Sequence, residues 1–85
     1  MKLELRYFAR IREQLGIAQE TVELPDAVTT TGEVRQWLIA RGGVWAETLA
    51  YGKALRIAYR QQMCDEDTLI SAGEEVAFFP PVTGG

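Results

Sequence analysis

The chain has 85 residues, with nine basic and twelve acidic side chains for a net charge of −3, and 47% of its residues are hydrophobic. That is enough for one small core and no second domain. No run approaches the roughly 20 apolar residues of a membrane span, and scattered charge of net negative sign excludes the clustered basic face of a nucleic-acid binder.

The reactive inventory is equally short. There is no histidine and only one cysteine, Cys64, which rules out an intramolecular disulfide and leaves nothing from which to build a His/Cys metal site. The usual general base near neutral pH is missing. Cys64 is followed by Asp65, Glu66 and Asp67, acids that raise a thiol pKa rather than activate it. Cys64 is read as structural, the acidic triplet as a solvated turn, and the chain as having no metal, no bound cofactor and no self-contained active site. The opening Met1-Lys2-Leu3-Glu4 lacks the apolar segment of a signal peptide, so a cytoplasmic location is expected.

In chain order, residues 2–9 predict a strand: Leu3, Leu5 and Tyr7 alternate with Lys2, Glu4, Arg6 and Phe8, one apolar face against one charged face on which Phe8 is the exception. Arg10 to Leu15 predicts one or two helical turns stopped by Gly16, and Gln19 to Leu24 a second strand. Pro25-Asp26 breaks it. Thr30-Thr31-Gly32-Glu33 matches a capping box, in which the Thr30 hydroxyl and the Glu33 carboxylate each satisfy a free N–H at the helix start. Val34, Trp37, Leu38 and Arg41 come next at helical spacing, predicting the main helix over residues 31–41 with Gly42-Gly43 as its end. A short helical piece, Trp45 to Tyr51, stops at Gly52. Leu55, Ile57 and Tyr59 alternate in a third strand, Gln62 to Cys64 forms a brief fourth, and a turn-rich link leads to the last strand, Glu75 to Phe79. The pattern by itself defines a small α+β domain.

The segment after that last strand is unusual. Pro80-Pro81 lacks backbone donors and ends the strand, and Val82-Thr83-Gly84-Gly85 then closes the chain. Five residues from Pro81 reach at most about 16–18 Å, and glycines without a Cβ pass through a channel too narrow for most side chains. A terminal Gly-Gly can be an idle, frayed end. Here it comes directly after an apolar strand, with a rigid diproline between, as in a domain that presents its own C-terminus. The expected division is a folded domain over residues 1–80 and a flexible tail over residues 81–85.

The tail Phe78-Phe79-Pro80-Pro81-Val82-Thr83-Gly84-Gly85, its lead-in Gly73-Glu74-Glu75-Val76-Ala77 and the opening Tyr7-Phe8-Ala9-Arg10-Ile11-Arg12-Glu13 resemble the small, sulfur-carrying subunits of molybdopterin synthase. The similarity runs the length of the chain. It departs at Ile57-Ala58-Tyr59-Arg60-Gln61-Gln62, which lacks the asparagine often found after the third strand. The resemblance implies a β-grasp, ubiquitin-like fold: a mixed sheet with the first and last strands parallel at its centre and the main helix across one face. It also implies a carrier cycle. An ATP-dependent adenylating enzyme activates the Gly85 carboxylate, a sulfur donor converts it to a thiocarboxylate, and the tail segment Val82, Thr83 and Gly84 enters the large subunit. There the sulfur passes to cyclic pyranopterin monophosphate in a heterotetramer of two small and two large subunits.

Strand parity adds a docking face. With Leu5, Tyr7, Val76 and Phe78 directed inward, Phe8 and Phe79 point out together near the tail, with Arg12, Pro80 and Pro81 at the rim; two exposed aromatics make a plausible anchor. Other readings are a sulfur carrier for thiamine or tRNA thiolation, sharing the Gly85 chemistry, and a β-grasp interaction module whose Gly-Gly is idle.

Overall fold

The computed structural model describes residues 1–81; the expectations for Val82, Thr83, Gly84 and Gly85 lie outside the described residues. Eight elements occur in the order β1 (Lys2–Tyr7), α1 (Ala9–Leu15), β2 (Gln19–Glu23), α2 (Thr31–Ile39), α3 (Gly43–Leu49), β3 (Arg56–Tyr59), β4 (Gln62–Cys64) and β5 (Glu75–Phe79). The strands form one sheet in the order β2-β1-β5-β3-β4. β1 and β5 run parallel at its centre, with Leu5 opposite Val76 and Tyr7 opposite Phe78, while the other neighbours are antiparallel.

The two-residue period of a strand sends alternate side chains to opposite faces. Leu3, Leu5, Tyr7, Val22, Ile57, Val76 and Phe78 therefore line one face, where Ile11, Leu15, Val34, Leu38 and Leu49 from the helices close over them. This is the β-grasp architecture, with three helices on the covered face rather than a single one.

The boundaries that differ from the sequence expectation have local causes. β1 stops at Tyr7 because Phe8, still extended, becomes the N-cap of α1, and Ala9 takes a left-handed φ of 51°. α2 begins where expected: the Thr30 hydroxyl accepts from the Glu33 N–H at 3.1 Å, and Glu33 Oε1 accepts from the Thr30 N–H at 3.1 Å. It ends at Ile39, two residues early. The N–H groups of Arg41 and Gly42 bond the carbonyls of Leu38 and Ile39, three residues back, which tightens the last turn.

Gly42, with φ 77°, then serves as the N-cap of α3, so the double glycine starts a helix as well as ending one. α3 ends at Leu49 rather than Tyr51. The buried Arg35 side chain donates from Nε to the Leu49 carbonyl and from Nη2 to the Ala50 carbonyl, both at 2.8 Å. A guanidinium satisfies the last carbonyls of a helix in this way.

The acidic triplet is more than a solvated turn. The Glu66 carbonyl accepts from the Gly32 N–H at 2.9 Å and the Asp65 carbonyl from the Thr31 hydroxyl at 2.7 Å. The Glu66 carbonyl, with the Thr68 carbonyl that accepts from the Thr31 N–H at 3.0 Å, occupies backbone donors that a helix start otherwise leaves free.

Candidate functional site

The site is built where the two central strands finish side by side. The Phe8 N–H donates to the Phe78 carbonyl at 3.1 Å, extending the β1–β5 pairing one step past Tyr7. With Tyr7 and Phe78 buried beneath, Phe8 and Phe79 fall on the uncovered face of the sheet. Their rings meet edge to face, centroids 6.5 Å apart and planes at 85°, a geometry worth about 0.5–1.5 kcal/mol beyond burial alone. Phe8 remains 39% exposed, while Phe79, Pro80 and Pro81 are half-buried. The Arg6 guanidinium lies 5.6 Å from the centre of the Phe8 ring and 3.8 Å from the Glu75 carboxylate. Arg12 is exposed on α1, whose first turn bonds back to the Phe8 carbonyl.

Register extends this patch beyond the residues that sequence singled out. Ala77 faces Ala58, and Ala58 faces Met63. The uncovered face therefore carries a row of apolar positions from the Phe8–Phe79 pair to Met63; the two alanines between are buried, and Phe8 and Met63, 39% and 61% exposed, are its accessible ends. Met63 was legible only once the β3–β4 hairpin was known to turn on two residues, since a one-residue slip would send it to the opposite face. A flexible thioether beside two aromatics suits an adaptable contact surface.

The opposite face is closed. The Tyr7 hydroxyl donates to Glu20 Oε2 at 2.7 Å, and burial together with that bond to a carboxylate pushes its ionisation well above the usual tyrosine range, so Tyr7 stays protonated. Glu20 also binds Arg41 through two oxygens, at 2.9 and 3.1 Å, and Arg41 lies between the rings of Trp37 and Trp45. This network fixes the helix layer against β2.

Among the described residues no three His, Cys, Asp or Glu side chains are placed to hold a metal ion, and no helix is long and apolar enough to cross a membrane. Cys64 is half-buried and packs against the core. A shallow hollow of about 270 Å³ opens between α1 and α3, lined by Arg10, Gln14, Val44, Glu47, Thr48 and Lys53. What the described residues supply is a rigid root for the tail and an exposed apolar face beside it.

Comparison with known proteins agrees with this geometry. The model of the ThiS family matches residues 5–85. A molybdopterin synthase sulfur carrier subunit from Haemophilus influenzae is 39% identical over 98% of this chain and 99% of its own length. A protein of the same name from Escherichia coli is 37% identical with the same coverage. Among solved structures, the protein–protein complex of subunits 1 and 2 of the molybdopterin-converting factor from Helicobacter pylori contains a chain of the same fold, with a TM-score of 0.68 at 24% identity and full coverage of both chains. A family match over nearly the whole chain, on a sheet with parallel central strands and a diproline directly after the last of them, establishes that this protein belongs to the ThiS family.

Proposed function

We propose that this chain is the sulfur carrier subunit of a molybdopterin synthase. The observation that carries the reading is the similarity to the carrier subunits of Haemophilus influenzae and Escherichia coli along essentially their full length, on a fold whose last strand ends beside the Phe8–Phe79 pair. The partner is a large subunit, a reading supported by the Helicobacter pylori structure in which subunits 1 and 2 form a complex.

The chemistry is dictated by what the chain lacks. The Gly85 carboxylate is ionised at neutral pH and a poor electrophile. An adenylating enzyme must convert it with ATP to the acyl-adenylate, releasing pyrophosphate. A sulfur donor then displaces AMP and leaves a thiocarboxylate, a soft anionic nucleophile. Without histidine this chain presents that group but supplies no base, so the groups that steer sulfur onto cyclic pyranopterin monophosphate belong to the partner. ATP is used by the activating enzyme, and this chain holds no cofactor of its own. Val82, Thr83 and Gly84 form the inserted segment, and Phe8, Arg12, Phe79, Pro80 and Pro81 the docking surface at its root.

The test is deletion of Gly85. The shortened chain should bind the large subunit through the same surface and carry no sulfur. Unchanged sulfur transfer after the deletion would overturn the proposal in favour of an idle tail.

A further inference from the structure

The distribution of unpaired cations is lopsided. Four of the nine basic side chains lie in ion pairs with acids among the described residues: Arg6 with Glu75, Arg35 with Glu66, Arg41 with Glu20 and Arg60 with Glu74. The remaining five make no ion pair among the described residues, and four of these, Arg10, Arg12, Lys53 and Arg56, gather at the end of the sheet where β5 releases the tail. Arg56 is the register partner of Phe79. Arg10 Nη2 donates to the Ala54 carbonyl at 3.3 Å, which brings α1 against the segment entering β3. Arg10 and Lys53 flank the same shallow hollow, and all four cations are exposed. The acids nearby are Glu13 on α1 and Glu47 on α3; neither forms an ion pair with any of the four. The fifth unpaired cation, Lys2, starts β1 at the opposite end.

We propose that Arg10, Lys53 and Arg56, together with Arg12, form a cationic collar around the tail root that matches an acid-lined mouth on the large subunit. The inference rests on the sulfur-carrier reading and adds to it the electrostatics of encounter. In a chain with three more acids than bases, leaving four cations unpaired at one end gives that end a local field opposite in sign to the whole. The cations are spread over α1, the segment after α3 and the start of β3 instead of converging on one point, so they fit an extended carboxylate rim rather than a single small anion. Exposed rim charges act mainly on association rate and its salt dependence, and less on dissociation.

Association and dissociation rates with the cognate large subunit, measured between about 0.02 and about 0.3 M salt, a range over which screening length shrinks severalfold, test this. The triple variant Arg10→Gln/Lys53→Gln/Arg56→Gln should associate about tenfold more slowly than the unmodified chain at low salt and show a flattened salt dependence. Dissociation should change by less than about threefold. Lys2→Gln is the control and should behave as the unmodified chain does. The single reversal Arg56→Glu repeats the test if the triple variant folds poorly.

An unchanged association rate and salt slope in both variants would overturn the collar, as would an equal effect of Lys2→Gln. It would also be overturned if the unmodified chain captured single-stranded RNA salt-sensitively, lost that in the triple variant and kept its subunit kinetics, because the cations would then serve a polyanion. Absence of any binding by the unmodified chain, at every salt concentration, would instead contradict the sulfur-carrier reading beneath it.

Discussion

A methyl group added at Gly32 would sit 2.8 Å from both Cβ and the carbonyl oxygen of Glu66, although Gly32 lies inside a helix where alanine is intrinsically better by about 1 kcal/mol. The clash with backbone outweighs the propensity. Gly32→Ala should destabilise the fold by about 1–3 kcal/mol, read as a lower midpoint in chemical denaturation; a stabilised variant would show that the acidic loop yields freely. Phe79 presents the opposite case. Its ring packs on Phe8 outside the core, so Phe79→Ala should leave the folded spectrum intact and weaken large-subunit binding by about 2 kcal/mol, roughly thirtyfold in Kd. Loss of the folded state would place Phe79 among the core residues instead. The outward direction of both aromatics was legible in the sequence, because two strands ending on known parity leave no other choice. Gly32 was not, since only the return of the Asp65–Asp67 loop onto the start of α2 makes its missing side chain necessary. Nor was Arg35, a charged residue that the helical pattern places beside core positions and whose partners are the carbonyls of a different helix.

Elements were easier to foresee than their ends. The β4 and β5 spans agree with expectation, and β5 is set by the apolar run Val76 to Phe79 between Gly73 and the diproline. α2 was located by its cap, and the cap makes a pH-dependent contribution. The Glu33 carboxylate accepts first from the Thr29 N–H and hydroxyl and then from Thr30, which holds it below the usual range. A carboxylate depressed in the folded state stabilises the fold above its unfolded pKa, and that contribution is lost as pH falls through the folded value. Between neutral and acid pH, Glu33→Gln should therefore lose less stability than the unmodified chain; parallel pH profiles would contradict this.

The β3–β4 hairpin shows what composition hid. Tyr59 faces Gln62, so Arg60 and Gln61 are the whole loop, and their φ values of 53° and 65° are the positive pair required by a type I′ turn. Asparagine and glycine suit that turn, and neither is present, so no residue at this point signals a hairpin. Gln61→Gly should raise stability by about 0.5–1 kcal/mol by relieving a left-handed side chain, measured as a higher melting temperature. A lower one would mean that the Gln61 side chain contributes contacts exceeding the strain.

At the scale of the molecule, the helices cover one sheet face, and the other carries Phe8, Phe79 and Met63 over the buried Ala77 and Ala58, with Pro80-Pro81 following β5 beside the aromatic pair. Element order, strand parity and the terminal motif made that arrangement readable, since each arises from local chemistry. The apolar strip as far as Met63 and the cationic collar did not emerge, because both depend on register between segments distant in sequence. On the proposed reading the labour is divided: the folded body offers a face to a partner, and the C-terminal end is charged and discharged by other proteins. Its most direct test is a reconstitution with the charged chain. Intact-mass measurement should first show sulfur replacing oxygen at Gly85. On addition of the large subunit and cyclic pyranopterin monophosphate, molybdopterin should appear as the mass returns to that of the carboxylate. A charged terminus that yields no pterin product, or a Gly85 that no adenylating enzyme can charge, would contradict the account.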